Sequence, residues 1–184
     1  MRAAHKSFVA FVLAATLLLA GCKEEKATAI SPQEPTGASV AAFCGMAVLD
    51  HPGPKGQIFL KGQGKPLWFG SARDTIAFML LPEEPKDIAA AYVNDMGKAS
   101  WDKPEPGAWV EARKAWYVIG SRRESGMGTA EAVPFAEKTA AERFVARYGG
   151  RIAAFAEIPD DYILGEGAGN PSRGPSPGGQ GEPS

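Results

Sequence analysis

Phe69-Gly70-Ser71-Ala72-Arg73-Asp74-Thr75-Ile76-Ala77-Phe78 returns in altered form as Phe135-Ala136-Glu137-Lys138-Thr139-Ala140-Ala141-Glu142-Arg143-Phe144. Each stretch opens on a phenylalanine, runs through a polar start into a helical pattern, and meets a second phenylalanine nine places on. Each is followed by an apolar strand opening Ile-Ala-Ala, at Ile88 and at Ile152. Ser71 is placed to cap the first helix, with Asp74 three residues later, where a negative charge suits the helix dipole. In the second, Thr139, Glu142 and Arg143 alternate with Phe135, Ala140, Ala141, Phe144 and Val145, the pattern of a one-sided helix. Gly149-Gly150 ends it.

A β-hairpin is expected before each helix. In the first copy Ala47–Leu49 and Gln57–Leu60 flank a turn rich in Pro and Gly. In the second Trp116–Ile119 and Ala130–Phe135 flank Gly126-Met127-Gly128. The unit is β-β-α-β, used twice. Two such units predict one small α+β domain whose helices cover sheet faces.

The flanks carry other information. Arg2, His5 and Lys6 precede Phe8 to Ala20, an apolar run broken only by Thr16. That run is too short to span a bilayer and has the length of a secretory signal core. Leu19-Ala20-Gly21-Cys22 resembles the bacterial lipobox, in which cleavage precedes a cysteine that is then acylated, palmitate being a typical chain. The alternative is an ordinary signal with a coincidental cysteine. The expected layout is a signal peptide at 1–21, a lipidated Cys22 with flexible tether at 22–41, a folded domain at 42–164, and a disordered Gly/Pro/Ser-rich tail at 165–184. Loss of Arg2 and Lys6 leaves 18 basic against 21 acidic side chains, a net charge of −3. Nothing in that balance favours nucleic acid.

Lipidation of Cys22 leaves Cys44 unpaired and rules out a disulfide between the two. A free thiol in an oxidising compartment invites intermolecular pairing, oxidation or metal capture; a buried, inert thiol is the plain alternative. In Phe43-Cys44-Gly45-Met46 a thioether lies two residues from the thiol. Soft sulfur donors suit Cu(I). On a strand that spacing puts both side chains on one face, and Gly45 also permits a less regular backbone; core filling is the other reading of Met46. Met127, between two glycines in a hairpin loop, is a third donor or a cap over the core edge. His51, in a Pro/Gly turn, is a ligand, a base assisting transfer, or a turn residue. Met96 is a lesser candidate, and Met79 continues an apolar run and belongs in the core.

Other chemistries lack their residues. No Cys-x-x-Cys pair supports a zinc knuckle or redox centre. One mature histidine excludes multi-histidine zinc sites. The glycines lack phosphate-loop spacing, and Gly-Ser-Ala around Ser71 is not a nucleophile elbow. A Cys44–His51 dyad has no oxyanion-hole motif beside it.

The lipobox, the tether, Phe-Cys-Gly-Met, His-Pro-Gly-Pro-Lys-Gly-Gln-Ile-Phe from His51, and Gly-Met-Gly-Thr-Ala-Glu-Ala-Val-Pro-Phe from Gly126 together resemble the NosL lipoproteins, copper accessory proteins of nitrous oxide reductase. The likeness runs to about Ile158. It implies a Cu(I)-binding lipoprotein on the periplasmic side of a bacterial membrane, the outer membrane being favoured, with two β-β-α-β units akin to a domain of organomercurial lyase. It further implies a chaperone, not an enzyme, that hands copper toward the apo-reductase through the NosD–NosF–NosY membrane complex. The expected ligands are Cys44, Met46 and Met127, with His51 in reserve. The rivals are an organomercurial lyase-like enzyme using Cys44, which a single mature cysteine disfavours, and a docking lipoprotein without metal.

Overall fold

The computed structural model describes residues 30–103 and 106–165. The expected signal peptide, Cys22 and residues 166–184 of the tail lie outside them.

The chain forms β1 (Gly56–Leu60), β2 (Leu67–Phe69), α1 (Ala72–Leu80), β3 (Ile88–Asn94), β4 (Trp109–Glu111), β5 (Trp116–Ile119), β6 (Val133–Phe135), α2 (Lys138–Tyr148), β7 (Arg151–Ala154) and α3 (Asp160–Leu164). The first sheet has the order β2-β1-β3-β4 and the second β6-β5-β7. All pairs are antiparallel. In each unit the first hairpin strand is central, between its hairpin partner and the strand that follows the helix. The two β-β-α-β units thus share one topology, and β4 extends the first.

One expected strand moves. Ala47–Leu49 does not pair with β1; Val48–Asp50 forms a 3-10 turn instead. Pro52 and Pro54 cannot donate to a ladder, and Gly53 between them has φ 93, so this stretch cannot fold back as a hairpin. The return is made at Lys61 to Pro66, where Gly62 has φ 75. Gln57 then faces Trp68, and Gly56 faces Phe69.

Ser71 caps α1 as expected, its Oγ accepting from Asp74 N at 2.9 Å. The helix lies close on the first sheet. A Cβ on Gly56 would come within 1.8 Å of Thr75 Oγ1, so only glycine lets the strand lie this close against the Thr75 side chain. Ile58, Leu60, Ala91 and Val93 from this sheet, Phe69, Ile76 and Phe78, and Tyr117, Ile119 and Ala153 from the second sheet make one core. The alternate residues of the second sheet, Val118, Val133 and Phe135, make a second core with Ala140 and Ala141 of α2. The period-2 alternation of strands explains why one three-stranded sheet serves both.

The outer face of the first sheet is covered from the N-terminal side. Gln57 is fully buried there. Gln33 N donates to its Oε1 at 2.8 Å, and Gln57 Nε2 donates to Gln33 O at 2.9 Å. Tyr92 OH donates to Ile30 O, and Glu34 Oε1 accepts from Trp109 Nε1 at 2.9 Å. Within the segment expected as a tether, Ile30, Gln33 and Glu34 are thus hydrogen-bonded to the first sheet. A buried amide without partners would cost about 1–3 kcal/mol, and Gln33 supplies them.

Candidate metal site

Three loops carry the residues singled out as donors. The first is a closed turn. Val40 and Ala47 form an antiparallel bridge, Ala41 N donates to Met46 O, and Gly45 N donates to Ala41 O, both at 2.9 Å. Gly45 has φ 68, a left-handed conformation that favours glycine. Cys44 and Met46 are thus on a turn rather than on a regular strand. The thiol is free and exposed, which disposes of the buried, inert reading. Met46 is half-buried. The turn is fixed to β2 by Ala42 N donating to Trp68 O at 2.8 Å, and Phe43 packs edge-on against Phe69 with ring centroids 5.5 Å apart.

The second loop presents His51, half-buried. Gly53 N donates to Trp101 O at 2.7 Å. The Lys55 ammonium, only 1% exposed as a residue, donates to His51 O at 2.6 Å, Pro52 O at 3.3 Å and Gly70 O at 3.2 Å. Burial lowers its pKa to about 8 against the opposing pull of the Glu131 carboxyl.

The third loop, Ser125 to Thr129, is closed on the Ser125 side chain, whose Oγ accepts from Met127 N at 3.2 Å and Thr129 N at 3.3 Å. Met127 is exposed. The loop lies directly on the His51 turn. A Cβ on Gly126 would be 2.6 Å from His51 Cβ and 2.7 Å from Pro52 O. Upstream, the Arg123 guanidinium lies 4.3 Å from the Trp101 ring centroid, a cation–π contact that ties the same hairpin to the residue holding Gly53.

The fold therefore places Met127 beside the His51 turn, and Cys44 beside Met46. Lys55 links the His51 turn to Gly70, next to the phenylalanine on which Phe43 is seated. Met96 packs with the second core rather than with these loops, and Met79 is buried in the first. Among the described residues no group of three or more His, Cys, Asp or Glu side chains gathers to hold a metal. The donors the three loops carry are a thiol, two thioethers and an imidazole, and such a set suits a soft ion better than an oxygen-seeking one.

Two buried charged residues escape the sequence reading. Lys55 sits in a Pro/Gly turn, where a lysine is expected in water. Glu131 sits in Ala-Glu-Ala and is 1% exposed. Its Oε1 accepts from Arg73 N and Ala132 N, both at 2.9 Å, so a carboxyl of the second unit caps the helix of the first. Its Oε2 is buried without a hydrogen-bond partner. Burial raises its pKa to about 8, with those two backbone bonds acting the other way.

The family model NosL matches residues 32–163 of the chain. The copper-binding lipoprotein NosL of Achromobacter cycloclastes is 48% identical over 155 residues, 83% of this chain and 80% of that protein. Its namesake in Stutzerimonas stutzeri is 36% identical over 172 residues, 91% of this chain and 88% of the relative. The crystal structure of the copper chaperone NosL from Shewanella denitrificans superposes with a TM-score of 0.65 at 36% identity, over 70% of this chain and 95% of that one.

Proposed function

The chain belongs to the NosL family, and from that premise we propose that it is a lipid-anchored copper chaperone that carries Cu(I) as cargo. The exposed Cys44 thiol, on a closed turn with a thioether two residues on, carries this reading. The names of its relatives, copper-binding lipoprotein and copper chaperone, support it. Cys44 is the thiolate donor. Met46 and Met127 add thioethers, and His51 is the leading further ligand. Few ligands on an exposed turn leave the ion open to a donor from an acceptor protein, so copper moves by stepwise ligand replacement without becoming free. Binding requires the thiolate, so acid weakens it.

The surroundings suit such a hand-off. Val40, Phe43, Leu49 and Met127 are the exposed large hydrophobic side chains among the described residues, and all four fall in the segments that bear the donors. Apolar surface of this kind excludes water when a partner covers it. We assign the acceptor to maturation of nitrous oxide reductase, reached through the NosD–NosF–NosY complex. The protein is held through Cys22 on the periplasmic side of a membrane, the outer one being favoured. The part is stoichiometric carriage, not turnover.

Anaerobic competition against a Cu(I) chelator tests the site. Cys44→Ser is expected to cut Cu(I) affinity sharply. Unchanged affinity removes Cys44 from the ligands.

A further inference from the structure

The buried Lys55 ammonium needs a physical explanation. Burying an unpaired ammonium is expensive, and an apolar side chain of similar volume is often as good or better for stability. Yet Lys55 is buried and forms no ion pair within 4.0 Å among the described residues. It spends its N–H donors on three backbone carbonyls. Its own backbone is fixed as well. Lys55 N donates to Asn94 Oδ1 at 2.8 Å, and Asn94 N donates to Lys55 O at 3.0 Å. The ammonium is therefore a fixed point at the start of β1, not a mobile charge.

The carbonyls it gathers are informative. Two belong to His51 and Pro52, the residues on which Gly126 rests. The third belongs to Gly70, which follows Phe69, the seat of Phe43 and hence of the Cys44 turn. One side chain thus ties the His51–Met127 side of the site to the strand end that supports Cys44 and Met46. A partner that orients metal ligands without touching the metal is a usual part of such sites.

Resting on the copper site proposed above, we infer that Lys55 is its positioning residue: the three carbonyl contacts of its ammonium set where the His51 and Met127 loops stand relative to the Cys44 turn. Lys55→Met keeps the apolar stem and removes the donors. In the mature protein it is expected to weaken Cu(I) binding by about 10- to 100-fold in anaerobic competition, with thermal unfolding confirming that the variant is folded.

A role acting through the loops has a second signature. In a His51→Ala/Met127→Leu background the further loss from Lys55→Met shrinks to less than about threefold, because the groups being positioned are gone. Unchanged affinity in the folded Lys55→Met protein overturns the inference, and so does an equal loss in both backgrounds. Should Lys55→Met fail to fold, Lys55→Gln, whose shorter side chain and two N–H donors cannot hold all three carbonyls, replaces it under the same two criteria, with a smaller loss expected. Cys44→Ser run alongside separates the failures. If Cys44→Ser weakens binding and Lys55→Met does not, Lys55 alone is misassigned. If Cys44→Ser has no effect, the site itself is wrong, and the role of Lys55 falls with it.

Discussion

Gly126 and His51 meet with no room for a methyl group between them: a Cβ on Gly126 would lie 2.6 Å from His51 Cβ. These residues come from different β-β-α-β units, seventy-five positions apart in the chain. Their contact is what brings Met127 to the histidine turn.

Gly126→Ala should drive the two loops apart. Pro52 O, 2.7 Å from the added atom, is backbone and gives little. Overpacking of this kind costs about 1–3 kcal/mol, to be read from chemical denaturation. Cu(I) affinity should fall with it, whereas Gly64→Ala, with nothing within 4 Å of its added atom, should leave Cu(I) affinity unchanged.

Glu131 predicts a pH dependence of stability with a definite sign. Burial raises its folded pKa from 4.5 to about 8. Between those values the folded chain holds a proton that the unfolded chain has released. Stability from this group is therefore full below the unfolded pKa and is lost as pH rises through about 8. The slope cannot exceed about 1.4 kcal/mol per pH unit. Lys55 acts oppositely in the next window. Its folded pKa is lowered to about 8, so stability is regained as pH climbs from there toward the unfolded value. Glu131→Gln keeps an oxygen for Arg73 N and Ala132 N and should abolish the fall between about pH 5 and 8, measured as Tm against pH.

Gly56→Ala should be the most damaging single methyl in the domain. The added atom would lie 1.8 Å from Thr75 Oγ1 and 2.8 Å from Thr75 Cβ, in a fully buried contact between β1 and α1. A loss exceeding about 3 kcal/mol is expected, seen as a fall in Tm or in soluble yield. Thr75→Ala together with Gly56→Ala should recover part of it, since the two sites share one space.

Ser71→Ala removes the cap on α1, where Ser71 Oγ accepts from Asp74 N. The expected cost is about 1 kcal/mol. Ser71→Gly should cost only a few tenths of that, both effects being read by thermal or urea unfolding.

The repeat could be read in the sequence because it rests on large apolar residues at fixed spacing. Phe69, Phe78, Phe135 and the Ile-Ala-Ala strands all became core or sheet. The Ser71 cap and the Gly149 stop, with φ 73, follow from local chemistry alone and came out as expected. The first hairpin was displaced by one strand because Pro52-Gly53-Pro54 looks like a hairpin turn to a reader of composition, while prolines deny the pairing it would need. The bonding of Gln33 and Glu34 to the first sheet was missed for a related reason. Gln33 and Glu34 are polar, and only the buried Gln57 and the Trp109 indole show what they are for. At the site, residue chemistry pointed to sulfur. The Gly126–His51 contact and the buried Lys55 and Glu131 depend on the docking of two units, which no local pattern records.

Copper K-edge X-ray absorption on the mature protein, loaded anaerobically with one equivalent of Cu(I), tests the central claim most directly. A sphere dominated by sulfur, with few neighbours and at most one nitrogen, is the predicted result. It should lose sulfur scattering in Cys44→Ser. A sphere of oxygen and nitrogen alone would contradict the account.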